Sequence, residues 1–401
     1  MAGEVQYWDW ALKNVYSPEV MWNQIVKPCK TLAELERTAD FTVTQPTGQT
    51  LITVPVPLGL PQGYGTGGEN SPLPTVGKTT GQQASYNSVQ HTGVIGFTFR
   101  AKNAGKDRAA GWKSVPSVDM ENIIKMNRMN INREVFGDST GTLATCTAAG
   151  PVNTFTVSST KYIYAHATNG MFIDLYDTNT STYVAQNRQV TAKTSTTITI
   201  GGAAVTVTNT TIVVIANSYD QEMNGLANIV GTGTLGGIDP TVAGQESWLP
   251  ASGAAYPGGA ASPSLELFEP VFQDIEDNMG NVDFMVASNK VQTAAANYLH
   301  SFRRIPVTET VKLEGGFTGI DWNGIPLGRD RDCPSGTAYF ITKDALKICE
   351  VIPAGWQELD ADGSIIMWDA ARGYKSVWIW DMNLVPFARN CLAVMTNIAE
   401  S

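Results

Sequence analysis

Between Leu265 and Leu346 nearly every secondary-structure boundary is signalled locally, and the order that results leaves few folds open. Phe268, Val271, Phe272, Ile275 and Met279 recur at helical spacing, and Gly280 stops the run. Val282–Ala287 follows as a short, mostly apolar strand. Ser288 is placed to cap a second helix carrying Val291, Ala295, Leu299 and Phe302 on one face, which ends at Arg303, Arg304 and Pro306. Asn323-Gly324, set between Ile320-Asp321-Trp322 and Ile325-Pro326-Leu327, is a two-residue hairpin signal. No polar cluster of catalytic type interrupts the block. Helix, strand, helix, hairpin and strand in this order describe packing rather than chemistry.

Upstream, the pattern changes twice. Ser17-Pro18-Glu19 opens a short helix, and Thr31-Leu32-Ala33-Glu34 has capping-box spacing for another. From Phe41 to Phe99 only Glu69 and Lys78 are charged; Leu51–Val56 and Val94–Phe99 read as strands bracketing the excursion GLPQGYGTGGENSPLP. Ser117 is expected to cap a helix whose apolar side is Met120, Ile123, Ile124, Ile131 and Val135, with Gly137 ending it. Residues 139–219 then carry only Lys161, Asp174, Asp177, Arg188 and Lys193 as charges. Their alternating stretches, Thr154–Val157, Met171–Tyr176, Thr196–Ile200 and Thr211–Ile215, predict a small antiparallel module. At the end of the chain Ser376–Trp380 and Asn390–Ile398 read as paired strands, and Trp356, Trp368, Trp378 and Trp380 read as packing aromatics.

The order and wording of these segments resemble the major capsid protein of tailed bacteriophages, the Hong Kong 97-type fold. The resemblance rests on GGFTGIDWNGIPLGRDRDCPSGTAYFITKDALKICEV (Gly315–Val351), NREVFGD (Asn132–Asp138), EMNGLANIV (Glu222–Val230) and GTLGGID (Gly233–Asp239). It covers most of the chain from about Ser117 onward. It implies an α+β fold with an arm (1–50), an extended loop with its flanking strands (51–100), a spine helix and peripheral domain (101–138), an inserted β-rich domain (139–220), an axial domain (221–375) and return strands (376–401). It further implies copies arranged as hexamers and pentamers in an icosahedral shell around double-stranded DNA, held without sequence-specific contacts. Portal, scaffolding and possible decoration proteins are the implied partners, the virion the implied location, and the host bacterial cytoplasm the place of assembly. The loop tip, Gly68, Glu69, Asn70, Ser71, Pro72, Leu73 and Pro74, is the implied contact between subunits. A ribbon of this kind is marginal alone in water and is expected to order against a neighbour. No charged helical leader suggestive of a fused scaffold precedes the arm.

Composition is consistent with such a role. Charged residues are 16% of the 401, against about 25% in an average soluble protein, which makes a surface cheap to desolvate against copies of itself. The net charge of −10 and the absence of a basic patch argue against a nucleic-acid gripping surface. Neither Phe41–Gly68 nor Thr194–Tyr219 is continuously apolar enough for a membrane span, and the N-terminal ten residues lack the cationic region of a signal peptide. Cys29, Cys146, Cys333, Cys349 and Cys391 are widely spaced and odd in number, which suits free thiols in a reducing compartment.

Chemistry-bearing motifs are sparse. Gly63–Gly68 and Gly231–Gly236 both satisfy G-x-G-x-x-G, but neither third glycine opens a helix, as a pyrophosphate site requires. Asp360-Ala361-Asp362-Gly363 lacks the remaining calcium ligands and reads as a turn. His91, His166 and His300 have no zinc spacing. Cys333 beside Asp332, with His300 upstream, is the best nucleophile-and-base candidate, and its plain reading is a Cys-Pro turn. The expectation is a structural protein with no catalytic, cofactor or metal site. Three other readings remain open: an encapsulin-type nanocompartment shell of the same fold, a β-rich surface adhesin or glycan-binding protein, and a cysteine hydrolase.

Overall fold

A computed structural model describes residues 29–45, 50–61, 63–69, 71–98, 115–163, 170–251, 261–302, 310–312, 318–322, 324–357, 366–369 and 373–400. The chain divides into two compact units: one comprises residues 1–136 and 226–401, the other Gly137–Gly225.

After short pieces at Lys30–Ala33, Arg37–Thr38 and Thr42–Thr44, the larger unit has a ribbon, β1 (Leu51–Gly59) and β2 (Thr80–Asn87), followed by strand β3 (Val89–Thr98) and helix α1 (Val115–Val135). After the second unit come α2 (Leu265–Asp277), β4 (Phe284–Ser288), α3 (Asn289–Phe302), β5 (Ile325–Asp330) and β6 (Ala338–Ile341). The long strands β7 (Leu346–Trp356) and β8 (Gly373–Pro386) and the short β9 (Ala393–Met395) complete it.

The Leu265–Leu346 block folds in the predicted order of elements, except that Met279 does not belong to the apolar helical face: the helix ends at Asp277, and Met279 follows at φ +62° and 81% exposed. Ser264 caps α2 by accepting from Leu267 N at 3.2 Å. The helix ends at Asp277, and Gly280 N closes onto Ile275 O at 2.9 Å. Ser288 Oγ accepts from Val291 N at 3.4 Å, as expected of the residue opening α3. Gly324, at φ +85°, turns the hairpin that pairs Trp322 with Ile325. Asn323 and Arg303–Pro306 lie outside the described residues. The resulting sheet has β4 between parallel β5 and antiparallel β6, with β9 on the outer edge of β6. All five residues of β4 are buried. Phe268, Val271, Phe272 and Ile275 of α2, Met285 and Ala287 of β4, and Val291 and Ala295 of α3 form one core with Trp322, Leu327 and Phe340. Phe268 meets the Trp322 and Phe340 rings edge-on, at 4.9 and 5.7 Å. Each such side chain contributes about 1.5–3 kcal/mol through burial.

The second sheet is built on β8. One edge of β8 pairs with β7 and Ile366–Asp369, the other with β3. Trp378 and Trp380 are fully buried and Trp356 nearly so, as packing aromatics; the side chain of Trp368 lies outside the described set. Helix α1 lies on β3, where Gly93 permits close approach: a Cβ there would stand 3.0 Å from Asn127 Nδ2 and 3.3 Å from Ile123 Cγ1.

Four further expectations are corrected. Val94–Phe99 does not bracket the extended loop. The partner of β1 is β2, whose GQQASYN composition hides its strand character because only Ala84 and Tyr86 face inward, while β3 joins β8. Helix α1 starts at Val115, so Ser117 lies inside its first turn and Pro116, with its fixed φ, suits the opening. Thr31 does not cap: Lys30–Ala33 is a single turn, and the Thr31 hydroxyl donates instead to Asp330 Oδ2 at 3.3 Å. The two terminal segments do not pair with each other, since β8 belongs to one sheet and β9 to the other.

The second unit is a six-stranded sheet with Thr211–Ile215 and Phe172–Asp177 near its middle, plus a two-stranded piece. Its own core includes Phe155, Ile163, Ile173, Leu175, Val190, Ile198 and Val213. Asp174 organises two turns, accepting from Asn187 N at 2.6 Å and Asn217 N at 2.8 Å. The two ends of the unit meet where Asp220 N donates to Thr140 O at 3.2 Å.

Candidate assembly surface

The extended loop grows from the β1/β2 ladder, paired from Leu51↔Asn87 to Gly59↔Thr80. At its base Ile52, Val54, Val56, Ala84 and Tyr86 are buried, every second residue as strand geometry requires. Beyond the ladder the two arms remain alongside: a Cβ on Gly65 would lie 3.3 Å from Pro74 Cβ, and one on Gly67 2.6 Å from Ser71 Cβ. The tip closes through Ser71 N to Gly68 O at 3.0 Å and Gly68 N to Ser71 Oγ at 2.9 Å. Gly68, Glu69, Ser71, Pro72, Leu73 and Pro74 are all exposed, and Asn70 lies outside the described residues. Leu60, Tyr64, Leu73 and Val76 are 76%, 88%, 94% and 88% exposed, so the apolar side chains of the loop have almost no cover within their own chain.

The ribbon is seated on the segment that spells the second G-x-G-x-x-G. Ser85 N donates to Gly236 O at 2.9 Å, and Gly236, at φ +63°, lies under the Tyr86 ring, where a Cβ would come within 2.8 Å of Tyr86 Cζ. Ser247 Oγ donates to Leu58 O at 2.9 Å, and buried Trp248 donates to Leu235 O at 3.1 Å. Arg389, 1% exposed, holds this segment from beneath by donating to the carbonyls of Ile229, Gly231 and Gly233. Burial lowers its pKa to about 10, so it remains charged at neutral pH. Carbonyl oxygens, not amide N–H groups, therefore converge in this loop, the opposite of a phosphate cradle. Sequence reading missed this role of Arg389, because a lone arginine between Ala388 and Asn390 carries no local signal.

The Asp-Arg-Asp-Cys-Pro turn is a polar joint. Asn132 of α1 donates to Asp330 Oδ1 at 3.0 Å and Asp332 Oδ2 at 2.7 Å, and Asp332 N returns to Asp330 Oδ1 at 2.9 Å. With Thr31, these bonds tie arm, spine helix and turn together. His91 of β3 and Glu134 of α1 meet at 2.8 Å and make a second tie.

No nucleophile–base pair emerges from these contacts. Cys333 is buried and its thiol donates to Thr337 O at 3.6 Å, while Asp332 is engaged by Asn132 and Arg331. The side chain of His300, and all of His166 and Asp360–Gly363, lie outside the described residues. All five cysteines are buried and free. Burial pushes the thiols of Cys29, Cys146 and Cys349 up to about 12, away from the thiolate form a nucleophile needs. Among the described residues no group of three His, Cys, Asp or Glu side chains could hold a metal ion, and no helix is long and apolar enough to cross a membrane.

No protein-family model and no curated protein matches the sequence. Solved structures do match. The chain is similar to a chain of the cyanophage A-1(L) capsid asymmetric unit, with a TM-score of 0.53 at 12% identity over 94% of this chain and 92% of that one. It is also similar to the holo-SrpI encapsulin of Synechococcus elongatus PCC 7942, at TM-score 0.47 and 10% identity over 94% and 89% of the two chains. A chain of the native GTA particle capsid gives 0.46 and 9% over 92% and 91%. This protein has the α+β Hong Kong 97-type fold of capsid shell proteins. Its particular form carries a separate β unit, Gly137–Gly225, directly after the spine helix.

Proposed function

We propose that this chain is the major capsid protein of a tailed bacteriophage, self-assembling as hexamers and pentamers into an icosahedral head around double-stranded DNA. The observation that carries the reading is a shell fold shared over nearly the whole length of a cyanophage capsid chain. Three features support it: an extended loop with uncovered apolar side chains, an unusually charge-poor composition, and buried, inert thiols. The loop tip, Gly68, Glu69, Ser71, Pro72, Leu73 and Pro74, contacts a neighbouring subunit, where Leu73 and Val76 find apolar cover. The acidic balance lets the shell enclose DNA without gripping it. A scaffolding protein, a portal and possibly decoration proteins are the partners, the virion is the location, and the host cytoplasm the place of assembly. The subunit performs no catalysis.

Negative-stain microscopy of the expressed protein, alone and with a scaffold, tests the reading, the expected result being closed shells. Only monomers or trimers under both conditions would sink it and favour the adhesin reading. Shells from infected cells with strong absorbance near 260 nm support a genome container, whereas protein-only absorbance with a co-purifying enzyme supports an encapsulin.

A further inference from the structure

Two oppositely charged surfaces of the larger unit carry charges left unbalanced among the described residues. The first is an open cleft of about 600 Å³ between the Cys29–Lys30 turn, helix α1 and the Arg329–Asp332 turn. Lys30, Arg128, Arg329 and Arg331 line it, twice as many cations as carboxylates, in a chain whose net charge is −10. Its carboxylates, Asp330 and Asp332, are already engaged by Thr31, Asn132 and Arg331. Arg128 and Arg329 pair with no carboxylate among the described residues.

The second surface is the outer side of α2. Glu266, Glu269, Glu276 and Asp277 are exposed and make no ion pair among the described residues. Glu276 and Asp277 stand in the last turn, which contains no base, a placement the helix dipole disfavours. Immediately beyond, Met279 is 81% exposed and adopts φ +62°, a conformation that costs a bulky residue strain. A recess of about 440 Å³ bearing Glu269, Glu276 and Asp283 lies beside it. The left-handed Met279 serves the helix end, since Met279 N and Gly280 N close onto Glu276 O and Ile275 O, but its exposed side chain and the acids of the last turn find no cover and no base among the described residues.

We infer that the acidic end of α2 in one copy docks into the Arg128/Arg329 cleft of the next copy. The contact joins unlike surfaces, so repetition generates rings or open chains rather than closed pairs. This inference rests on the shell reading, because it requires identical copies side by side. Carboxylates meeting an arginine cleft supply both attraction and register, and the association weakens as salt rises.

The test uses full-length Arg128→Glu/Arg329→Glu, Glu269→Arg/Glu276→Arg, and the four-substitution combination, with folding checked by circular dichroism. Sedimentation velocity and microscopy then compare assembly with the parent. Each double variant alone is expected to lose association by about tenfold or more. The combination, and an equimolar mixture of the two double variants, recover it because complementary charges face each other again. If a reversed variant fails to fold, Arg128→Gln/Arg329→Gln and the salt dependence of parent assembly take its place; salt-insensitive assembly unaffected by the glutamines overturns the inference. Parent shells with no loss in the reversed variants, or no recovery in the combination, also overturn it while leaving the shell reading intact. Absence of parent shells together with association of the mixed variants would instead keep the contact and remove the shell.

Discussion

Arg389 shows how one side chain can hold a functional element from a distance. Its guanidinium replaces water for three carbonyls beneath the ribbon seat, so truncation leaves those acceptors buried and unsatisfied. Arg389→Ala should lower stability by about 3 kcal/mol in urea titration, and Arg389→Lys should restore only part, since an ammonium cannot match the fork. Wild-type stability in the alanine variant would refute the role. Glu400 gives a pH-dependent counterpart. Its carboxylate accepts from Lys290 Nζ at 3.0 Å, Gly336 N at 2.8 Å and Ser288 Oγ at 3.3 Å, and the Lys290 bond above all lowers its pKa beneath the ordinary 4.5. An acid whose folded pKa lies below its unfolded one stabilises the fold fully above that ordinary value, and the contribution is lost as pH falls through the folded pKa. Glu400→Gln should therefore melt about 2 °C below the parent at neutral pH, with the gap closing in acid. A gap independent of pH would show that the charge is not responsible. At this scale the sequence exposed Cys333 and the Asp-Cys-Pro turn, but the partners of Arg389, Asn132 and Glu400 lie 64 to 200 residues away along the chain and left no local trace.

At the level of elements, the extended loop is held at its base and left uncovered by its own chain at its distal end. Its base is held by Gly236, Ser247 and the inward face of β1 and β2; its distal half has no core. Removing Gly63–Val76 and joining the arms with a short turn should leave the melting temperature of the isolated subunit unchanged, while shells fail or soften. Sedimentation beside the parent would reveal particles of equal size and heat resistance if the loop were dispensable. Helices α2 and α3 were legible because caps and apolar spacing act within four residues. Strand β2 was not: Gln, Ser and Asn read as loop, and only pairing with β1 makes Ala84 and Tyr86 an inward face. The partner of β3 was misjudged for the same reason, since a strand's sequence specifies which face is apolar but not which edge it meets.

For the whole molecule, the second unit is the separable part. It has its own sheet and core, and its ends meet at Asp220 and Thr140. Replacing residues 139–220 with a short Gly/Ser linker should leave the rest folded, read as a cooperative melt and native-like circular dichroism. An insoluble remainder would show that the units depend on each other. The charge-poor, Thr-rich stretch already marked a change of character near residue 139, and the order and wording of the Leu265–Leu346 block already resembled a shell fold before any contact was known. Periodicity, caps and turns are short-range, so a linear chain states them openly. The assignment of β8 and β9 to different sheets, the carbonyl clamp of Arg389, and the cleft joining residues 30, 128 and 329 depend on long-range closure. That closure is selected by the packing of the whole core, and only the tertiary structure decided it.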